Sequence, residues 1–173
     1  MIQSVLYIGR ISLLTTGLYP GSFDPITFGH IDIATRSSQM FDKVYVAVVS
    51  TRSTKSLMFN TEERLQLCTE ALKHIKNVEV VTYQGLTVDA AKRFGAHAMI
   101  RGLRMGSDFD YEFELALNNQ KLSPDIDTMY LMANLDHIYV KSSLIKEIAS
   151  GNGPISHLVP KNVEEAIKEK LKN

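Results

Sequence analysis

The sequence predicts an α/β fold in which a doubly wound parallel sheet is covered by helices on both faces. Apolar runs of strand length alternate along the chain with segments whose apolar residues recur at helical spacing. Runs such as Val44–Val49 are apolar throughout, which is typical of parallel strands buried on both faces. The length of 173 residues suits one domain with a full core. We predict a single domain over residues 11–173 that ends in a C-terminal helix, preceded by an extension of residues 1–10.

The composition is that of a globular protein and excludes several functional classes. Hydrophobic residues make up 45% of the chain, charged residues 22%, and the net charge is zero. A neutral chain has no bulk attraction to nucleic acid or to anionic membranes, and no apolar run reaches membrane-spanning length, so we expect neither partner. Cys68 is the single cysteine, which excludes an internal disulfide and a multi-cysteine metal site and fits a reducing cytoplasm. Its helical spacing predicts a core thiol.

The first strand and the first helix are predicted from short local signals. Ile11–Thr16 is apolar and β-branched, as expected of a buried strand, and Pro20 and Gly21 are predicted to end it. Gly29 then allows the backbone to bend sharply as His30 opens the helix. The order strand, turn, helix, strand is the beginning of a βαβ unit.

Turn and capping residues divide the remaining chain into further elements. Asn60-Thr61-Glu62-Glu63 resembles a capping box that opens a helix. Gly95 ends the predicted helix Leu86–Phe94, and Ser107 is predicted to cap the helix Asp108–Leu122. The other predicted elements are the strands Val44–Val49, Val78–Tyr83, His97–Ile100 and Thr128–Met132 and the helices His30–Phe41, Thr61–Ile75, Ser142–Ser150 and Val163–Leu171.

The stretch Tyr19–His30 has the character of a phosphate-binding turn. It joins a strand to a helix, so that backbone N–H groups and the positive end of a helix dipole point at one spot. Lys55, Arg101 and Arg104 also follow predicted strands. Because ligands of such sheets bind at the carboxyl ends of the strands, we expect these cations to converge there. The alternative is an ordinary loop with a chance histidine and solvated surface cations.

Several motifs together resemble a known family: Gly21-Ser22-Phe23-Asp24-Pro25, Thr27-Phe28-Gly29-His30, Ile100-Arg101-Gly102-Leu103-Arg104, Asp108–Glu112 and Ser142-Ser143. From about Leu18 to the C-terminus the chain is similar to the bacterial phosphopantetheine adenylyltransferases. The T/H-x-G-H signature alone points only to the wider nucleotidyltransferase superfamily. The I-R-G-L-R and D-F-x-Y-E segments narrow the resemblance to this family.

The resemblance implies a Rossmann-like fold and reversible transfer of adenylyl from ATP to 4′-phosphopantetheine, which gives 3′-dephospho-coenzyme A and pyrophosphate. A phosphate monoester oxygen already carries charge, so it can attack the α-phosphate of ATP directly, without a general base or a covalent intermediate. Positioning and charge neutralisation should then dominate catalysis. Alternatives are a related nucleotidyltransferase with another phosphorylated acceptor, such as a nicotinate nucleotide or glycerol phosphate, and a non-catalytic nucleotide-binding protein.

The resemblance also assigns roles to individual residues. His30 corresponds to the transition-state stabiliser, Ser22 to a residue that touches both reacting phosphates, and Lys55 and Arg101 to the grip on the acceptor phosphate. The implied ATP contacts are Ser22, Phe23, His30, Gly102, Leu103, Arg104, Glu112, His137, Ile138, Tyr139, Val140, Lys141, Ser142 and Ser143. The implied acceptor contacts are Ser22, Lys55, Leu86, Thr87, Arg101, Asn119 and Glu147.

Each assignment has a plainer alternative. His30 could simply cap its turn, Ser22 could be a turn serine, and Ser142 and Ser143 could be N-cap residues. Glu112 could be a solvated helix residue, or it could orient a base, a ribose or a neighbouring arginine. Lys141 departs from the serine of many family members.

Thr87 is a second departure, because it is smaller and more polar than the usual leucine or methionine. Magnesium is implied as the ion that accompanies ATP, with no protein ligands, since the histidines lack ligand spacing. The resemblance also implies a homohexamer, and the cytoplasm as its location.

Overall fold

A single sheet of five parallel strands and six helices make up the part of the chain that the structure describes. The computed structural model describes residues 15–50, 57–104 and 106–172, without the side chains of residues 106–108. The strands are β1 (Thr16–Gly21), β2 (Lys43–Val49), β3 (Val78–Tyr83), β4 (Ala98–Leu103) and β5 (Asp127–Met132). The helices are α1 (Phe28–Ser38), α2 (Thr61–Leu72), α3 (Thr87–Arg93), α4 (Gly106–Leu122), α5 (Ser142–Ser150) and α6 (Lys161–Lys170).

Both faces of the sheet are buried, as the continuous apolar runs predicted. Successive residues of β2 alternate between two clusters of the core: Val46 and Val48 belong to one, and Ala47 belongs to the other. The first cluster also contains apolar residues of α1, α2, α5 and α6, whereas the second contains those of α3. Side chains of a strand point alternately to the two faces of the sheet. A strand with helices packed on both faces therefore needs apolar residues at every one of its positions.

The strand order β3-β2-β1-β4-β5 determines where in the sheet a ligand can bind. The chain winds outward from β1 to β3 on one side, and β4 returns to the other side of β1. The recorded pairing between β1 and β4 is limited to Gly17 with Ala98 and Leu18 with Met99. Beyond these pairs the two strands separate toward their carboxyl ends. A crevice at such a reversal of strand order is the usual ligand site of an open α/β sheet.

The limits of β1 correct the prediction for the first strand. The strand begins at Thr16, the last residue of the predicted run, and ends at Gly21. Pro20 and Gly21 end it as predicted, but they do so as its last two residues and not as a turn that follows it. Pro20 is tolerated because it lies beyond the pairing with β4, where a missing N–H breaks no bond to that strand. Most of the predicted strand Ile11–Thr16, and the predicted extension of residues 1–10, lie outside the described residues.

Two predictions around β4 and α4 were also wrong. Strand β4 continues through Arg101 to Leu103, because Arg101 pairs with Tyr130 of β5. The sequence placed the strand end at Ile100, before the polar residue. Helix α4 begins at Gly106, so Ser107 lies inside the helix and is not its N-cap.

Several local predictions are confirmed. The capping box of α2 forms, with the Glu63 N–H donating to the Asn60 side chain and the Asn60 N–H donating to Glu63. The limits of β3 and α5 are as predicted. Cys68 is fully buried, and burial raises the pKa of its thiol to about 12. Among the described helices, none is long and apolar enough to cross a membrane.

Candidate active site

The crevice between β1 and β4 is the candidate active site. Its walls are the carboxyl ends of the two strands, the first turn of α1 and the segment that precedes α5. The residues that line it are Tyr19, Pro20, Gly21, Ser22, Phe23, Thr27, Gly29, His30, Ile33, Arg101, Gly102, Arg104, Glu112, Ala133, His137 and Val140. Polar groups from separate parts of the chain therefore meet at one edge of the sheet.

A capping box with histidine in the place of the usual glutamate opens α1. The backbone N–H of His30 donates to Thr27 Oγ1 at 3.3 Å, and the backbone N–H of Thr27 donates to His30 Nδ1 at 3.1 Å. Because Nδ1 accepts a backbone N–H, the proton of the neutral ring lies on Nε2. The cap thus fixes both the orientation and the tautomer of His30.

The environment of His30 keeps the imidazole uncharged at neutral pH. Burial, and secondarily the positive charge of Arg104, lower the pKa of His30 to about 4. The ring of Phe23 packs against it edge-on, with the centroids 5.1 Å apart. His30 is therefore a neutral Nε2–H donor in the wall of the crevice. It can stabilise charge that develops on a bound phosphate without becoming an imidazolium ion itself.

The turn that carries Ser22 is tightly packed. Gly21 is required there, since a Cβ atom at this position would lie 2.9 Å from the ring of Phe23. Phe23 has a left-handed backbone with φ of 46° and a side chain that is 2% exposed. Ser22 is exposed and lines the crevice, and its backbone carbonyl accepts a hydrogen bond of 2.7 Å from Arg64 Nη1.

Asp24 connects the same turn to two other segments. Its carboxylate is buried and accepts hydrogen bonds from the backbone N–H groups of Met58 and Phe59 at 3.1 and 2.9 Å. It also forms a salt bridge of 2.6 Å with Lys146 of α5. The turn after β1, the segment before α2 and helix α5 are thus held together by one carboxylate.

Arg101 and Glu112 form a bidentate ion pair between β4 and α4. Arg101 Nε donates to Glu112 Oε2 at 2.7 Å, Nη2 donates to Oε1, and Nη1 donates to the carbonyl of Pro20 at 3.3 Å. Burial alone would lower the pKa of Arg101, but the hydrogen bonds and charge of Glu112 raise it above its ordinary value. The guanidinium is consequently fixed and charged at the floor of the crevice.

A second arginine and the start of α5 form the far wall. Arg104 Nη1 donates to the carbonyl of Val140 at 3.3 Å. Ser142 Oγ donates to the carbonyl of Pro25 at 2.8 Å, which anchors the N-terminus of α5 to the turn after β1. The ring of His137 stacks on Phe28 with the centroids 6.2 Å apart, and its buried Nδ1 has no hydrogen-bond partner among the described residues.

Comparison with known proteins identifies the family. A model of the cytidylyltransferase-like family matches residues 18–148. A phosphopantetheine adenylyltransferase of Staphylococcus haemolyticus is 48% identical over 91% of this chain and 98% of its own length. Another, of Caldanaerobacter subterraneus, is 48% identical over 92% of this chain and 99% of its own. The chain belongs to the phosphopantetheine adenylyltransferase family.

A more distant comparison supports the fold alone. A provisionally named nicotinate-nucleotide adenylyltransferase of Vibrio parahaemolyticus superposes with a TM-score of 0.63 at 17% identity, covering 89% of this chain and 98% of the other. The Rossmann-like parallel sheet predicted for the phosphopantetheine adenylyltransferase family is thereby confirmed.

The crevice brings together many of the site residues predicted by resemblance to this family. Ser22, Phe23, His30, Arg101, Gly102, Arg104, Glu112, His137 and Val140 line it. The solvated-residue alternative for Glu112 was wrong, because its carboxylate is 12% exposed and paired with Arg101. The pairing agrees with the interpretation that Glu112 orients a neighbouring arginine, and the ATP contact implied for Glu112 stays a prediction.

Other predicted residues lie apart from the crevice. Thr87 and Asn119 line a small neighbouring cavity that also touches Arg101 and Glu112. Leu86 and Glu147 are exposed, as are Tyr139 and Ser143, whereas Leu103 is buried and Ile138 and Lys141 are partly buried. Lys55 lies outside the described residues. The ligand contacts predicted for all these residues stay predictions.

Sequence reasoning missed three groups that shape the site. Thr27 fixes His30, and its spacing three residues before His30 is the signal that could have revealed it. Asp24 and Lys146 pair across 122 positions of the chain, and Arg64 is buried although most helical arginines are solvated. No local sequence pattern identifies Asp24, Lys146 and Arg64 as residues that shape the site, because groups that they contact come from distant segments of the chain.

Proposed function

We propose that this chain transfers the adenylyl group of ATP reversibly to 4′-phosphopantetheine, giving 3′-dephospho-coenzyme A and pyrophosphate in coenzyme A biosynthesis. The assignment depends on one observation: curated relatives named phosphopantetheine adenylyltransferase are 48% identical over nearly their whole length. The crevice supports it, because neutral His30 and two arginines face one space. No feature of the described residues favours a different acceptor.

The geometry of His30 suits an in-line attack on the α-phosphate of ATP. The acceptor phosphate is already an anion, so no group is needed to remove a proton from it. His30 Nε2–H would donate to an α-phosphate oxygen as negative charge develops there. Such a fixed donor is worth about 10²–10³ in rate. Ser22, at the turn, would contact both reacting phosphates through its hydroxyl and its backbone N–H.

The two arginines would divide the charges of the substrates. Arg101 lies beneath the turn and would bind the acceptor phosphate, together with Lys55. Arg104 faces His30 and the start of α5, where the phosphates that leave as pyrophosphate would lie. Placing two anions side by side is the main obstacle, and good orientation can supply up to about 7–11 kcal/mol of barrier reduction.

Magnesium would enter with ATP. In the described part of the chain, no group of three or more His, Cys, Asp and Glu side chains is placed to hold a metal ion. Glu112, the carboxylate of the crevice, is committed to Arg101. The ion is therefore proposed to be held by phosphate and water oxygens, and it supplies charge neutralisation when bound.

Pyrophosphate release tests the proposal directly. The purified chain is incubated with ATP, Mg²⁺ and 4′-phosphopantetheine, and both pyrophosphate and the adenylylated product are measured. We expect release only with this acceptor, and not with nicotinate mononucleotide, glycerol 3-phosphate or no acceptor. Release with another acceptor alone would assign a different nucleotidyltransferase activity. Binding of ATP without release under all conditions would identify a non-catalytic nucleotide-binding protein.

We also propose that the protein acts in the cytoplasm as a homohexamer. An apolar surface supports self-association: α4 exposes Phe109, Tyr111, Phe113 and Leu117, and the edge strand β5 exposes Met129 and Met132. Large exposed apolar patches on a folded protein usually mark interaction surfaces.

A further inference from the structure

Arg64 is the largest of the fully buried side chains, and the proposed reaction does not use it. It lies in the second turn of α2 and is 1% exposed. Its Nη1 donates to the carbonyls of Ser22 at 2.7 Å and Val49 at 3.0 Å. Within the described residues it forms no salt bridge. A buried cation held only by neutral oxygens is unusual enough to require a reason.

The acceptors of Arg64 come from three segments that meet at the catalytic turn, defined as Ser22–Thr27. Arg64 Nε donates to the carbonyls of Phe59 and Asn60 at 3.2 and 3.3 Å, and Nη2 donates to Thr61 Oγ1 at 3.2 Å. One rigid guanidinium thus joins the turn after β1, the end of β2 and the start of α2. Asp24 holds the N–H of Phe59, so this segment is fixed to the turn from both sides.

The bond to Ser22 has a direct consequence for the crevice. A peptide unit is planar, so the Ser22 carbonyl and the Phe23 N–H point in opposite directions. Fixing the carbonyl on Arg64 directs that N–H away from α2. Phe23 has a φ of 46°, which is unfavourable for a residue with a side chain and persists only where the surroundings enforce it. The charged hydrogen bond from Arg64 to the Ser22 carbonyl helps to hold the backbone in this conformation.

We propose that Arg64 is a positioning residue for adenylyl transfer: it acts through Ser22, by holding the Ser22–Phe23 peptide in the orientation that the reacting phosphates require. The inference rests on the proposed function. Lysine cannot replace arginine here, because a single ammonium group has three donors at one point and cannot span five oxygens.

Arg64→Lys tests the inference, with Leu72→Ala as a matched control. Leu72 is buried at the other end of α2, away from the catalytic turn, so its truncation lowers the melting temperature without altering the site. We expect kcat of folded Arg64→Lys to fall about 10- to 100-fold with the equilibrium Kd for ATP changed less than about threefold. Leu72→Ala should keep a normal kcat below its melting temperature.

A double-variant cycle separates positioning from general stability. The Ser22 side chain is attached next to the peptide that Arg64 holds, so the combined loss in Arg64→Lys with Ser22→Ala should be smaller than the product of the two single losses. A normal kcat in Arg64→Lys would overturn the inference. So would failure of both Arg64→Lys and Arg64→Gln to fold, since Arg64 would then serve folding. An inactive wild-type chain with 4′-phosphopantetheine would instead overturn the proposed function.

Discussion

At the scale of single residues, the hydrogen bond from the Thr27 N–H to His30 Nδ1 decides what the imidazole can do. A histidine that caps a helix was the plain alternative to a catalytic one. The cap and the proposed catalytic role are compatible, because the cap uses Nδ1 and leaves Nε2–H as a donor in the wall of the crevice. Capping is thus the means by which the donor is oriented.

Replacing His30 by alanine should remove this donor. We expect His30→Ala to lower kcat about 10²–10³-fold, with a smaller effect on the binding of either substrate. The control is His74→Ala, because His74 is exposed, follows the C-terminal end of α2 and does not line the crevice. Turnover close to normal in a folded His30→Ala protein would reject the proposed role.

The low pKa of His30 predicts a pH dependence of stability. The pKa is about 4 in the folded chain and about 6.5 in the unfolded one, so the unfolded chain binds the extra proton first on acidification. The contribution of this residue is complete above pH 6.5 and decreases as the pH falls toward 4. Between pH 7 and pH 5 the free energy of unfolding should fall by about 2 kcal/mol on this account.

Urea unfolding of the wild type and of His30→Gln at the two pH values measures this difference. The variant lacks the titrating ring and should lose less stability on acidification. Equal losses in both proteins would show that His30 titrates normally in the folded state.

At the scale of elements, the ion pair of Arg101 and Glu112 joins β4 to α4 beneath the crevice. The two side chains are partly buried, so loss of one partner leaves the other charge unpaired at a position with little access to water. Arg101 would have two roles: it neutralises the charge of Glu112, and it would place a positive charge next to the acceptor phosphate. A single substitution of Arg101 changes both stability and acceptor binding, whereas a double substitution of Arg101 and Glu112 distinguishes the two effects.

Arg101→Met should lower the free energy of unfolding by about 1–3 kcal/mol and raise the KM for the acceptor about tenfold or more. Adding Glu112→Gln removes the unpaired carboxylate, so stability should largely return while the acceptor KM stays high. Chemical unfolding and steady-state kinetics on both proteins give the two quantities. An acceptor KM that recovers together with stability would assign Arg101 to the fold alone.

At the scale of the whole molecule, the exposed apolar side chains of α4 and β5 are the surface through which the proposed hexamer would associate. Phe109 and Phe113 stack on each other with the centroids 5.7 Å apart, and both are about half exposed.

Phe113→Glu should weaken this association by placing a charge in a contact that excludes water. Sedimentation at several concentrations should give a mass several times 19.4 kDa for the wild type and a smaller one for the variant. Lys76→Glu is the control, because Lys76 is exposed in the loop before β3, at the opposite edge of the sheet from β5. A wild type that sediments as a monomer at all concentrations would contradict the proposed hexamer.

The sequence by itself determined the order of the elements, the parallel sheet and the family. Apolar runs, capping residues and glycines act over a few positions, so their effects can be read locally: the limits of β3 and α5 and the capping box of α2 agree with the structure. The end of β1 depended on a neighbouring strand, because Pro20 is acceptable only where β4 has separated from β1.

The tertiary structure alone decided how the site is held. Whether Glu112 is solvated or paired, and whether Arg64 lies on the surface or beneath the catalytic turn, depends on segments that are distant in the chain. Asp24 likewise finds Lys146 only after α5 has packed on the turn. The physical reason is that burial of a charge is favourable only when its partners are in place, and those partners are assembled by the fold.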